Sequence, residues 1–127
     1  MQRLVLSDAE KKILNDRLQM DDCLNDVVQD TFEEGTYDPE HVSMICNLLH
    51  KGEYDKAIEE DKELAVFILA DAVNGSTWAA QTHNLIQDGA PQIVLTTAIR
   101  TGERLADKVQ EYLLQFDSEV VVSFPRY

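Results

Sequence analysis

Glycine, cysteine and cations are all scarce in this chain of 127 residues, and each shortage removes a class of function. Five glycines, scattered singly, leave no glycine-rich loop of the kind that cradles a phosphate group. Two cysteines, Cys23 and Cys46, make neither a disulfide scaffold nor a CxxC metal motif. Both fall on apolar faces of expected helices, as reduced core residues of a cytoplasmic protein would. The longest uninterrupted apolar run, Leu64–Ala70, has seven residues, against the ~20 that cross a bilayer. Residues 1–8 hold no apolar stretch of signal-peptide length, which again points to the cytoplasm. Lys and Arg number 11 against 24 Asp and Glu, a formal charge of −13. Direct binding of nucleic acid or of an anionic membrane surface is therefore not expected, because both depend on cationic side chains.

What is present is a helical pattern with clear punctuation. Ser7-Asp8-Ala9-Glu10 reads as a capping box that opens a helix to about Gln19, with Ala9, Ile13, Leu14 and Leu18 near one face. A second helix is expected from Asp21 or Asp22, with Cys23, Leu24, Val27, Val28 and Phe32 inward and Gly35 as its stop. Asp38-Pro39 reads as an N-cap followed by a first-turn proline, starting a helix that carries Val42, Ile45, Cys46 and Leu49 and stops at Gly52. From Glu53 to Val73 the phase is helical, either as one helix or as two broken at Asp61, itself a candidate N-cap. Leu64–Ala70 is apolar all round, which places it at the centre of the core. Trp78 to about Gln87 reads as another helix, Asp88–Pro91 as a turn, and Gln92–Arg100 and Glu103–Phe116 as helices that can join across Gly102.

Val120–Phe124 is β-branched and aromatic, a strand composition. A lone strand leaves its backbone donors and acceptors unpaired, so residues 3–6 are its expected partner, within one chain or between two. The fold class is thus mainly α. It is read as a compact bundle of six or seven helices in a single domain over residues 1–127, with a small two-stranded terminal ribbon.

Around Gly52, the residues Gly52, Tyr54, Ala57 and Ile58 resemble the turn and second helix of a tetratricopeptide repeat, at that family's spacing. Asp61 stands where the pattern has an aromatic, Leu64 where it has alanine, Leu69 where a proline closes the unit, and Ile45 where a small residue is usual. No second copy follows, and such repeats need about three units to bury their faces. The resemblance therefore implies a helical hairpin that shares the turn chemistry rather than a repeat array.

Charge is the clearest functional signal, and it is uneven: residues 1–63 carry a net −10, residues 64–127 only −3. Asp22, Asp26, Asp30 and Glu33 recur on one face of the second helix, with Glu34 beside them, and no Lys or Arg occurs between residues 18 and 50. Carboxylates ~6 Å apart along a helix are spaced much like phosphates along a strand. Glu59, Glu60 and Glu63, near Asp61, form a second cluster diluted by Lys56 and Lys62. Such a face either keeps a small protein in solution or presents itself to a basic partner. Trp78, after the hydroxyls of Ser76 and Thr77, packs inward or anchors a contact.

Chemistry-bearing constellations are thin. Cys46 and His50, four apart on one helix, could give two zinc ligands, with Cys23, His41 or His83 as remote supplements. The more economical reading has Cys46 in the core and His50 at a helix C-terminus. All-α metal-dependent nucleotide pyrophosphatases need paired carboxylate motifs on two helices; Glu60-x-x-Glu63 resembles half of one, and the second half is missing. No catalytic residue, metal or cofactor is assigned. The function expected is a small acidic module or inhibitor that occludes a basic, nucleic-acid-binding surface of a partner protein, in the manner of small acidic phage proteins. The partner face is Asp22, Asp26, Asp30, Glu33, Glu34, Glu59, Glu60, Glu63 and Trp78. The alternatives are a homo-oligomeric scaffold, such as a homodimer, whose charge only solubilises it, and behind that a small metal-dependent hydrolase.

Overall fold

A computed structural model describes residues 3–18, 28–29, 32, 37–73 and 86–120. Its helices are α1 (Asp8–Leu18), α2 (Pro39–His50), α3 (Tyr54–Glu60), α4 (Lys62–Ala72) and α5 (Gln92–Leu114), and the described residues contain no strand. The helix ends fall where local hydrogen bonding puts them. At α1 the Ser7 N–H donates to Glu10 Oε1 at 3.0 Å while the Glu10 N–H donates to Ser7 Oγ at 3.2 Å, a complete capping box. Asp38 accepts from the Glu40 N–H at 2.9 Å and Pro39 takes the first turn of α2.

The α2 end shows why a glycine is needed at residue 52. Its N–H donates to the Leu49 carbonyl and the Glu53 N–H to the Leu48 carbonyl, at 3.1 and 2.9 Å, the two hydrogen bonds of a Schellman motif. That geometry puts residue 52 at φ +83°, the left-handed region open to glycine at little cost. α2 and α3 thereby form the hairpin that the tetratricopeptide-like turn implies. The second helix of that hairpin is short, because Asp61 breaks it. Asp61 turns out to φ −157°, ψ 92°, and its Oδ1 accepts from the Leu64 N–H at 3.2 Å, which starts α4. The acidic stretch is two helices. Across Gly102, by contrast, the chain continues as one helix of 23 residues. A helical glycine costs about 1 kcal/mol relative to alanine, and the buried Leu105, Val109, Tyr112 and Leu113 that follow offset it.

α4 packs against α1, α2, α3 and α5, the central position its all-round apolar sequence predicts. Leu64, Ala65, Ile68 and Leu69 are fully buried there, with Leu14, Ile45, Leu49 and Val109 around them in one contiguous core. Val28 is buried as well, and the Phe32 N–H donates to its carbonyl at 2.9 Å. Residues 3–7 lie outside any helix or strand, with Leu6 buried and Leu4 half-buried. Of the other half of the expected ribbon, residues 119–124, Glu119 and Val120 lie in no strand and residues 121–124 lie outside the described residues.

Candidate functional site

Glu59, Glu60 and Glu63 are all exposed, at the corner where α3 ends and α4 begins. Glu63 sits in the first turn of α4, where a carboxylate meets the positive end of the helix dipole. Glu59 and Glu60 occupy the last turn of α3, which holds no basic residue, so they face the negative end of theirs. Lys56 and Lys62 are exposed in the same stretch. Asp22, Asp26, Asp30, Glu33, Glu34 and Trp78 lie outside the described residues.

Asp61 stands apart from these glutamates although it sits among them in sequence. While Oδ1 caps α4, its Oδ2 accepts from His41 Nε2 of α2 at 2.8 Å, so the side chain turns inward and joins two helices. The His41 ring stacks on Tyr37, with centroids 6.0 Å apart and planes 9° from parallel. Tyr37 meets Phe32 edge-on at 4.9 Å, and Phe32 meets Phe67 of α4 at 5.2 Å. Burial pushes the Tyr37 hydroxyl above its ordinary value, and the charges of Asp61 and Glu63 push it the same way. The acidic corner is thus backed by a half-buried aromatic row whose outer member feels its negative field. Sequence reading missed Tyr37 and His41 as members of this surface; the spacing of Tyr37 and His41, four apart at the start of α2, was the available signal.

Two polar contacts deeper in the fold were also missed. Glu10 is 1% exposed, and its Oε1 accepts from Lys108 Nζ of α5 at 2.7 Å, while Oε2 is buried without a hydrogen-bond partner. Burial alone would raise this carboxyl; the Lys108 and Ser7 hydrogen bonds and the lysine's charge outweigh it and hold the group below its ordinary value. Tyr112 donates to Asp55 Oδ1 at 2.5 Å, tying α5 to α3. Its hydroxyl is raised strongly, by burial first and then by the Asp55 hydrogen bond and charge. These partners lie 98 and 57 positions apart, beyond the reach of any local pattern.

Cys46 is buried in the core and His50 is the last residue of α2, with its Nδ1 buried and unpartnered. His41 is engaged with Asp61. The described residues contain no group of three or more His, Cys, Asp or Glu side chains arranged to hold a metal ion. Among them, too, no helix is long and apolar enough to cross a membrane. A shallow, open groove of about 530 Å³ runs along α2 past Pro39, Met44 and Leu48. No family model, no characterised protein and no solved structure matches the chain.

Proposed function

We propose that this protein is a small acidic binding module that occludes a basic surface of a partner protein, one that itself handles nucleic acid. The observation that carries the reading is the α3–α4 corner. Glu59 and Glu60 stand exposed at the end of a helix where the dipole disfavours them and no cation in that turn compensates. Lys56, one turn earlier on α3, offsets that cost in part, and cationic side chains of a partner would offset the rest. Tyr37, half-buried at the Asp61–Glu63 side, adds an aromatic surface suited to a guanidinium or ammonium group. The face of Asp22, Asp26, Asp30, Glu33 and Glu34 continues the negative field in this reading, and Trp78 supplies an anchor. Inhibition by imitation of a phosphate backbone, a cytoplasmic location, a single domain, six or seven helices in all and a terminal ribbon belong to the same proposal.

The test is capture from cell lysate at low salt with elution along a salt gradient, repeated with Asp26→Lys/Asp30→Lys and with Glu59→Lys/Glu60→Lys. A basic partner should elute steeply between low and moderate salt and should be lost with either charge-reversed variant. Retention of the partner by both variants, or binding indifferent to salt, overturns the reading.

A further inference from the structure

We propose that the cavity between the start of α4 and the end of α5 receives an arginine side chain of the basic partner, its guanidinium resting on the Phe116 ring and answering Glu63 and Asp117. The inference rests on the acidic-corner reading and names the group that this side of the corner grips. The cavity holds about 370 Å³ and is lined by Lys62, Glu63, Val66, Phe116 and Asp117. Val66 is buried and Phe116 half-buried, while Glu63 and Asp117 are exposed. An apolar wall beside two exposed carboxylates suits a side chain that is apolar along its stem and cationic at its head.

Charge selects a cation. Among the described residues neither Glu63 nor Asp117 is in an ion pair, and Lys62, exposed beside them, is in none either, so the lining keeps a net charge of −1. Phe116 and Asp117 follow the carbonyl end of α5, whose last turn holds no basic residue, so the helix dipole adds to the negative field there. The wall is also held in place before anything binds. The Phe116 and Asp117 N–H groups both donate to the Leu113 carbonyl, at 3.0 and 2.9 Å, and Asp117 Oδ1 accepts from the Glu119 N–H at 3.0 Å. Tyr112 packs edge-on against Phe116, with ring centroids 5.2 Å apart. A guanidinium can lie flat on an aromatic ring and still donate sideways to a carboxylate, which a compact ammonium does less well.

Calorimetric titration with blocked hexa-arginine and hexa-lysine peptides tests it, alongside the methyl resonances of Val66. Hexa-arginine should bind about three- to tenfold tighter than hexa-lysine at moderate salt, where screening weakens the charge attraction common to both, and should shift the Val66 methyls. Phe116→Leu should remove most of that preference. Asp117→Asn, which keeps an oxygen for the Glu119 N–H, should weaken hexa-arginine about threefold with the unfolding midpoint unchanged. Equal affinity for the two peptides overturns the inference, as does an arginine preference indifferent to both substitutions. A larger arginine preference in Arg126→Gln also overturns it, because the cavity then takes the chain's own arginine. Each of these failures leaves the corner reading standing, since that reading falls on retention of the captured partner by both charge-reversed variants.

Discussion

Lys108 reaches from α5 across to the start of α1 and closes its ammonium on Glu10 at 2.7 Å, although 98 positions separate the two residues. The same Glu10 oxygen accepts from the Ser7 N–H, so a capping residue of one helix is also the docking point of another. A carboxylate so deeply buried is tolerated only because these donors converge on it.

Lys108→Met should therefore destabilise the protein by about 1–3 kcal/mol, since it leaves a buried charge without its cation. Adding Glu10→Gln to that variant should recover part of the loss, because glutamine keeps the capping box and removes the charge. Urea unfolding of the two variants beside the wild type reads both effects. A double variant less stable than Lys108→Met alone would show that the glutamate charge itself is not the liability.

The same contact sets a pH dependence. The folded Glu10 carboxyl lies below its ordinary value of 4.5, so the unfolded chain takes up its proton first on acidification. The stabilisation is complete above about pH 5 and is lost as pH falls through 4.5 toward the lower folded value. The difference in urea midpoint between wild type and Glu10→Gln should be constant near neutrality and shrink below pH 4.5. A difference that widened on acidification would contradict the assignment.

Asp61 serves two masters through its two oxygens, and the substitutions separate them. Asp61→Ala loses both the α4 cap and the His41 contact and should cost about 1–3 kcal/mol. Asp61→Asn retains a competent cap and should cost less. His41→Ala removes the contact while sparing the cap, so it should fall between wild type and Asp61→Ala in thermal unfolding.

Tyr112→Phe should cost about 1 kcal/mol at neutral pH through the lost bond to Asp55. The hydroxyl's raised folded value means that its stabilisation is full below about pH 10 and declines as pH rises through that point. Wild type and Tyr112→Phe should accordingly converge in stability in alkali. Tyrosinate absorbance in the wild type should show a late component, tied to unfolding, that is smaller in the variant, where Tyr54 and Tyr37 remain raised.

Much of the helical framework was legible residue by residue. Ser7 with Glu10, Asp38 with Pro39, Gly52 as a stop and Asp61 as an internal cap all act through hydrogen bonds that span two to five residues, and so they leave a signature in short windows. The central place of α4 followed from an apolar run with no polar face to show to water. The acidic stretch of Glu59, Glu60 and Glu63 was legible as composition, but its environment was not. The aromatic row behind Glu63 joins Phe32, Tyr37 and Phe67, which only packing brings together.

The sequence by itself marked the caps and stops at Ser7, Asp38 and Gly52 and the apolar run of α4, because those are matters of neighbouring dihedrals and of period. It left open the break at Asp61 and the join across Gly102. Tertiary structure alone decided that Glu10 is a buried ion-pair partner and not just a cap, that Asp61 turns inward to His41 while Glu59, Glu60 and Glu63 stay in water, and that Tyr112 is matched to Asp55. Which charges are paired and which stay exposed depends on contacts between residues far apart in the chain, and those distances exist only once the helices have packed.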